Sequence, residues 1–310
     1  MHERIESLDD PRLEVFRNLK VKNSVRDARL FVAEGATVVE RLLRSGLDVQ
    51  SVLVSDRKFA TCEPFLRPDV CVYRLRSELA NELVGFDFHC GVMASAVRPD
   101  APNPEEWIPA RGRSLIIAAD RVVDPENVGA LIRIGAAFGA DGVIFGKGSV
   151  DPFSRRVLRV SMGNVLFMPI TETEDLSATL SDLNRHREFR ICGTVLDHQA
   201  IDLNTFTFPD RTVLVFGNEY DGISDGVQNV LTDRLTISML NGTDSLNVAI
   251  SAGIFCHQYR AQVSANLVSR KALAAGECHK NTTNLPAASA LRLTIATEST
   301  VCQMGKVANV

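Results

Sequence analysis

The chain has 310 residues, of which 45% are hydrophobic and 23% are charged, and its formal net charge at pH 7 is -4. This length accommodates one large or two medium domains, and the apolar content is that of an ordinary globular protein. The slightly acidic balance excludes a protein that is basic over its whole surface, so any contact with nucleic acid must use local basic patches.

Seven cysteines occur without a Cys-x-x-Cys pair. The odd number and the missing pairs argue against a disulfide framework and a zinc ribbon, and reduced thiols are typical of a cytoplasmic protein. The charged first residues lack the apolar core of a signal peptide, and no run of about 18 apolar residues predicts a membrane span. We expect a cytoplasmic protein with no membrane contact, and the spacing of its side chains indicates no metal site.

Residues 1–97 are predicted to form a small α/β domain. Apolar residues at helical spacing over residues 36–43 indicate a helix. Three short apolar runs indicate buried strands: 51–54, 70–73 and 91–97. Three prolines within residues 98–104 suit neither a helix nor a strand. Residues 98–113 are therefore predicted to be a linker.

Strands and helices are predicted to alternate from residue 114 to residue 264. Four continuously apolar runs are strand candidates: 115–119, 142–145, 191–195 and 212–216. Continuous apolarity is expected of parallel strands covered on both faces, and the helical patterns between them indicate βαβ units. Residues 265–310 contain no aromatic side chain and are rich in Ala, Ser, Thr and Asn, which predicts a disordered tail.

The first chemically informative segment follows the first of these strands. Asp124-Pro125-Glu126-Asn127 predicts that a helix begins near Asn127, and Gly129 permits close approach of another backbone. Arg133 lies almost two turns further and shares a helix face with Ala130 and Ala137. A long cationic side chain beside small neighbours can reach a cleft above the sheet, and a solvated surface arginine is the alternative.

Two further segments have the composition of ligand-binding loops. Gly217-Asn218-Glu219 directly follows an apolar strand, where glycine permits a sharp turn and close approach of a ligand. Residues 241–245 are a strong turn signal, and Ser245 is predicted to cap a long apolar helix over residues 246–259. Unpaired N–H groups at such a helix start can hold a polar ligand group, and Asn247 lies among them. Taken singly, an ordinary loop and an ordinary cap are the alternatives.

The order and spacing of residues 127–133, 217–224 and 237–249 resemble the three signature motifs of the SPOUT (TrmH/SpoU) RNA ribose 2′-O-methyltransferases. The resemblance covers residues 114–261. It implies an α/β fold in which a knotted (trefoil) parallel-sheet methyltransferase domain follows a small RNA-binding α/β domain. It also implies S-adenosyl-L-methionine as cofactor, RNA (rRNA or tRNA) as partner, and a homodimer with its sites at the subunit interface.

The resemblance assigns roles residue by residue. Catalytic positions are matched by Arg133, Asn127 and Glu219. Cofactor-binding positions are matched by Thr194, Gly217, Asn218, Ile237, Met239, Ser245, Leu246 and Asn247. Ser238 stands where the family commonly has proline. Proline would pre-set the backbone of that loop, so serine is expected to loosen it slightly.

Candidate RNA contacts come from two basic segments. Residues 12–29 contain six basic and two acidic side chains, a composition that suits phosphate contact as well as a solvated helix face. The second segment looks like the stretch that separates the first two motifs in the family, and its arginines are candidates for phosphate contact. The residues proposed from both segments are Arg12, Arg17, Lys20, Lys22, Arg155, Arg156 and Arg159.

Methyl transfer from a sulfonium to a hydroxyl is an in-line displacement that needs alignment and removal of the 2′ proton. Arginine ordinarily holds its proton up to a pKa of about 12.5. We therefore favour Arg133 as a charged clamp on a substrate phosphate over Arg133 as a deprotonated base. Structured RNA is the expected substrate, with ribosomal RNA preferred over tRNA because of the additional N-terminal domain.

Two rival functions follow from the same residues. A catalytically inactive RNA-binding factor of the same fold is disfavoured because Asn127, Arg133, Glu219 and Asn247 are all present. A nicotinamide-dependent oxidoreductase is disfavoured because no Gly-x-Gly-x-x-Gly follows the first strand of the alternating region.

Overall fold

The structure is a computed structural model that describes residues 2–17, 19, 29–197, 199–241 and 243–280, with residues 265–280 as helical backbone. Met1–Ala265 form one compact unit that contains both of the sheets described below. Lys20 and Lys22, predicted to contact RNA, lie outside the described residues. Within the described part, no helix is long and apolar enough to cross a membrane.

The N-terminal part of this unit is a mixed sheet with the strand order β1-β4-β3-β5-β2. Its strands are β1 (His2–Arg4), β2 (Leu30–Glu34), β3 (Val49–Ser55), β4 (Cys71–Leu75) and β5 (Val92–Val97). Its helices are α1 (Ala36–Arg44), α2 (Asp56–Cys62) and α3 (Ser77–Val84). β1, β4 and β3 are parallel, whereas β5 runs antiparallel to β3 and β2. The predicted helix and all three predicted strands are confirmed as α1, β3, β4 and β5.

The second sheet is parallel throughout, with the strand order β10-β12-β9-β11-β6-β7-β8. Its strands are β6 (Ser114–Ala119), β7 (Gly142–Gly146), β8 (Ile170–Thr173), β9 (Arg190–Thr194), β10 (Ile201–Asp202), β11 (Arg211–Phe216) and β12 (Asp233–Thr236). The helices of this part are α4 (Pro104–Trp107), α5 (Pro125–Phe138), α6 (Arg155–Val160), α7 (Leu176–Arg187), α8 (Asp225–Gln228) and α9 (Val248–Lys280). The four apolar runs are confirmed as β6, β7, β9 and β11.

The strand order places a switch point beside β6. From β6 the chain builds outward through β7 to the edge strand β8, and then returns to the other side of β6, where β11 pairs with it. In open parallel sheets, ligands bind outside the carboxyl ends of the strands at such a point. The loops that follow β6, β9 and β11 therefore meet where a ligand site is expected.

Residues 151–164 join the two sheets. The rings of Phe31 and Phe153 lie 5.3 Å apart, and Arg41 donates to the carbonyl of Met162 at 2.6 Å. Arg98, the first residue of the predicted linker, pairs with Asp151 at 2.6 Å. A single hydrophobic cluster runs through residues of both sheets. The N-terminal sheet is therefore packed against the parallel sheet and not merely tethered to it.

Helix α6 also packs tightly on α5. A Cβ at Gly129 would lie 2.7 Å from Cβ of Val160 and 3.1 Å from the carbonyl oxygen of Val157, so only glycine permits this approach. The prediction that Gly129 allows close contact is confirmed, and its neighbour is α6.

Three sequence predictions differ from the observed elements or go beyond them. Helix α9 continues to Lys280, so the predicted tail begins as helical backbone at residue 265, and residues 281–310 lie outside the described residues. The trefoil knot and the domain limits at residues 97 and 113 stay predictions.

Candidate active site

The loop after β6 leads directly into α5. Asp124 caps this helix by accepting a hydrogen bond from the backbone N–H of Glu126 at 2.8 Å, with Pro125 in the first helical position. The helix thus begins two residues before Asn127, the residue near which the sequence predicted its start. Asn127 is placed in the first turn with its side chain buried, 5% exposed.

A chain of side-chain hydrogen bonds joins all three motif segments. Nδ2 of Asn127 donates to Oε1 of Glu219 at 2.7 Å, and Nδ2 of Asn247 donates to Oδ1 of Asn127 at 2.9 Å. An amide carries both donors and an acceptor, so a single buried asparagine connects the second motif to the third. Hydrogen bonds in such a low-dielectric setting are strong, and breaking one leaves a costly unpaired group.

Asn247 is held in this chain by its own helix. Its Oδ1 accepts the backbone N–H of Ala249 at 2.8 Å, which makes Asn247 the N-cap of α9. The prediction that Ser245 caps the helix is therefore wrong. Because the oxygen of the amide serves the helix, the nitrogen is directed to Asn127.

The second motif is a tight loop closed on itself. Asn218 and Gly222 exchange backbone hydrogen bonds, both of 3.0 Å, and Gly222 has a φ of 69°. A Cβ at Gly217 would lie 2.3 Å from the carbonyl carbon of Gly222, so the loop requires glycine for close approach. Asp120, buried after β6, accepts the backbone N–H of Ser224 at 2.6 Å and fixes the far end of the loop.

The loops after β9, β11 and β12 line a cavity of about 500 Å³, a volume within the range of small-molecule sites. Its walls include Phe216 and Phe255, whose rings lie 6.2 Å apart. The structure brings every predicted cofactor-binding residue, together with Glu219, to this cavity: Thr194, Gly217, Asn218, Ile237, Met239, Ser245, Leu246 and Asn247.

Charged and polar residues that the sequence reasoning missed also line the cavity. Arg234 pairs with Asp197 at 3.0 Å, and Gln228 donates to the carbonyl of Ile223 at 2.8 Å. The available signal was the arginine itself, which stands three residues before Ile237 in the third motif.

Arg133 is not brought to this cavity within one chain. It is exposed on α5 and is absent from the cavity walls, as is Asn127, which instead touches the wall residues Glu219 and Asn247.

Near the end of α5, the ring of Phe138 meets the ring of His257 on α9 at 6.1 Å. Ile250 and Ile254, also on α9, are 56% and 38% exposed.

Most of the predicted RNA contacts that the structure describes are engaged within the chain. Arg155 is partly buried, pairs with Glu34 at 3.3 Å and donates to the carbonyl of Leu19 at 3.0 Å. Burial lowers the pKa of Arg155, against the opposing effect of Glu34. Arg159 is exposed on α6. The other three pair with nearby carboxylates: Arg12 with Glu3 and Asp10, Arg17 with Glu14, and Arg156 with Glu126.

Within the described residues, no group of three or more His, Cys, Asp or Glu side chains could hold a metal ion. A cavity at the carboxyl edge of a parallel sheet, walled by glycine-containing loops and a helix N-terminus, is the arrangement of an α/β enzyme that binds a polar organic ligand.

Comparison with known proteins identifies the enzyme family. Residues 114–257 match the SpoU rRNA Methylase family. An uncharacterized tRNA/rRNA methyltransferase from Mycobacterium tuberculosis is 32% identical over 258 residues, which cover 79% of this chain and 87% of the relative. A 23S rRNA (guanosine-2′-O-)-methyltransferase from Acinetobacter baylyi is 30% identical over 203 residues, 63% of this chain and 79% of the relative.

The solved structures agree with this. An AdoMet-bound rRNA methyltransferase from Sinorhizobium meliloti is similar with a TM-score of 0.70 at 25% identity, covering 84% of this chain and 98% of that chain. The chain therefore belongs to the SpoU methylase family and is an RNA ribose 2′-O-methyltransferase of that family. The family, the α/β fold class and the enzyme class expected from the sequence are confirmed.

Proposed function

We propose that this protein transfers the methyl group of S-adenosyl-L-methionine to a ribose 2′-hydroxyl of structured RNA, with ribosomal RNA as the substrate class. The observation that carries the proposal is the chain Glu219–Asn127–Asn247, which joins the helix of Arg133 to both loops of the cavity. Surface asparagines would not require burial and mutual hydrogen bonds between segments about a hundred residues apart.

The cavity fits the cofactor by shape and by composition. Ile237, Met239 and Leu246 supply apolar wall for an adenine ring, and Gly217, which lets the second-motif loop close on itself, places that loop's backbone at the cavity wall. When bound, the sulfonium of S-adenosyl-L-methionine supplies an activated methyl group. Residues 245–248, which lead into α9 at the cavity wall, offer backbone N–H groups to the polar part of the ligand.

Glu219 is the side chain best placed to meet the ribose. Its Oε1 is bound by Asn127, and among the described residues its other carboxylate oxygen makes no hydrogen bond. The side chain is exposed at the cavity wall, so this oxygen can accept a hydrogen bond from the ribose. Asn127 thereby orients the carboxylate and withholds one of its oxygens from the substrate.

Arg133 acts as a fixed positive charge that clamps a substrate phosphate and lowers the pKa of the 2′-hydroxyl. Because Arg133 is exposed and outside the cavity of its own chain, it is available to the cavity of a second copy. Ile250 and Ile254, exposed on α9, give the chain an apolar patch that a second copy would cover. These placements support a homodimer with shared sites.

Ribosomal RNA is favoured over tRNA by the N-terminal sheet, which is packed firmly against the methyltransferase part and adds surface for a large substrate. The 23S rRNA (guanosine-2′-O-)-methyltransferase of Acinetobacter baylyi, at 30% identity, points the same way.

The decisive experiment compares Arg133→Ala with the wild type. The variant should lose methyl transfer to ribosomal RNA, because the phosphate clamp is gone, and should keep its affinity for S-adenosyl-L-methionine in calorimetry. Arg44→Ala is the matched control, since Arg44 is an exposed helical arginine on α1 that pairs with Glu40.

Wild-type turnover by Arg133→Ala would refute the catalytic role. A wild-type protein that binds RNA but not S-adenosyl-L-methionine would instead establish the inactive RNA-binding factor. Mass spectrometry of ribosomal and transfer RNA, with and without the protein, identifies the methylated nucleotide.

A further inference from the structure

Arg121 has an unusual backbone for a long side chain. It follows Asp120 at the end of β6 and has a φ of 56°, in the left-handed region that favours glycine. Asn218, a cavity residue, donates from Nδ2 to the carbonyl of Arg121 at 2.8 Å. A strained backbone that a cavity residue holds in place is typical of a functional position.

The guanidinium of Arg121 is held without a hydrogen bond. Its Nε is buried and has no hydrogen-bond partner among the described residues. The carboxylate of Asp120 lies 3.9 Å from this Nε, and that of Asp221 lies 3.9 Å from Nη1, both beyond hydrogen-bond distance. By contrast, Arg98 meets Asp151 at 2.6 Å and Arg190 meets Asp233 at 2.7 Å. Buried donors are almost always paired in native proteins, so the partner of this one is a molecule other than the described residues, a water or a bound ligand.

Packing keeps the side chain of Arg121 in place where hydrogen bonds do not. A Cβ at Gly148 would lie 3.5 Å from Cγ of Arg121, so the stem passes close to the loop after β7. The adjacent backbone N–H of Val122 is fixed by Ser149 at 3.2 Å. On its other side the guanidinium faces Asp221 of the second motif, and 39% of the side chain is exposed.

These observations together describe a preset receptor for an anion. A guanidinium presents its donors in a planar fork that matches two phosphate oxygens, and bidentate pairs of this kind are strong. The two carboxylates at 3.9 Å help to orient the guanidinium but form only weak ion pairs with it, so its N–H groups stay available to a ligand. RNA offers one phosphodiester per nucleotide, and contacts to phosphate position the substrate without reading its sequence.

We propose that Arg121 binds a phosphodiester of the RNA substrate at the rim of the cavity, next to the nucleotide that is methylated. This inference rests on the proposed function and assigns the contact that holds the substrate backbone beside the second motif.

The test uses Arg121→Gly in the full-length protein, because glycine adopts a positive φ without strain. The variant removes the guanidinium and keeps the conformation of the loop. If Arg121 had only a structural role in the backbone, the variant would bind RNA as the wild type does. We expect the KM for RNA to rise about tenfold or more, as for the loss of a charge-assisted contact, with unchanged affinity for S-adenosyl-L-methionine. The slope of log K for RNA against log salt should fall by about 0.9 for a duplex contact or about 0.7 for a single strand.

Arg121→Lys is the matched variant that retains the charge and the strained backbone. It should keep the wild-type salt slope while losing part of the affinity, since lysine cannot present a planar fork. An Arg121→Gly protein with wild-type KM and salt slope overturns the inference, and so does a parallel loss of S-adenosyl-L-methionine binding. If the wild type itself transfers no methyl group, the proposed function fails, whereas the salt slope still decides whether Arg121 contacts RNA.

Discussion

Replacing Gly217 by alanine tests whether the closed second-motif loop forms the cofactor site. The added Cβ would lie 2.3 Å from the carbonyl carbon of Gly222 and 2.4 Å from the backbone nitrogen of Ile223. Both contacts are with backbone, so no side-chain rotation can relieve them. The loop must open by about 1 Å to reach ordinary van der Waals distance.

The cost of this opening follows from what closes the loop. Overpacking of this kind costs about 1–3 kcal/mol. The two hydrogen bonds that Asn218 and Gly222 exchange, both 3.0 Å long, would weaken as well, at about 1 kcal/mol each. Bound cofactor requires the closed loop, so the affinity of Gly217→Ala for S-adenosyl-L-methionine should fall by about two to four orders of magnitude.

Gly226→Ala is the matched control for this experiment. Gly226 lies on α8 of the same segment, and the nearest atom to its added Cβ would be Oγ of Ser177 at 3.9 Å, an ordinary contact. Alanine in a helix is favoured over glycine by about 0.5–1 kcal/mol, so this variant should be slightly more stable and bind normally. Isothermal titration measures both affinities. A Gly217→Ala protein that binds within about twofold of the wild type refutes the argument.

Two more predictions concern the subunit interface and the response to alkali. Ile254→Arg places a charge on the exposed apolar face of α9. In light scattering the variant should be a monomer where the wild type is a dimer, and it should lose methyl transfer. A wild-type protein that is monomeric and active would contradict the shared site. Burial raises the pKa of Cys256 from 9.0 to about 12 and that of Tyr259 from 10.0 to about 12. Folding thus favours their neutral forms, so stability is full below pH 9 and declines as the pH rises toward 12. Urea unfolding from about pH 8 to 11 should show this decline in the free energy of unfolding, and Cys256→Ala should make the decline smaller. If the free energy of unfolding falls with pH as steeply in the variant as in the wild type, the decline does not come from Cys256.

The parallel sheet was predictable where strands are buried on both faces. β6, β7, β9 and β11 are continuously apolar because helices cover them, and each was found. β8, β10 and β12 were missed because they are short and contain charged residues, as edge or near-edge strands permit. Local pattern therefore identifies the centre of this sheet better than its rim.

The site was predictable in its membership but not in its connections. Both Ser245 and Asn247 are capping residue types, and only the hydrogen bond from Asn247 to Asn127, 120 positions earlier, decides between them. The positive φ of Arg121 is likewise imposed by tertiary contacts, since arginine has no preference for it. The exposed position of Arg133 outside its own cavity depends on the packing of α5 and has no local signature.

The close packing at Gly129 has a consequence for substrate choice. Gly129 lets Val160 of α6 pack against α5, and Arg155 at the start of α6 forms an ion pair with Glu34 of the first sheet. A continuous series of packed elements therefore runs from that sheet to the helix of Arg133. An RNA held by the first sheet would meet the reacting centre at a distance that the protein cannot easily alter. Such a protein would accept only the ribose that lies one fixed distance from the RNA feature bound by the first sheet.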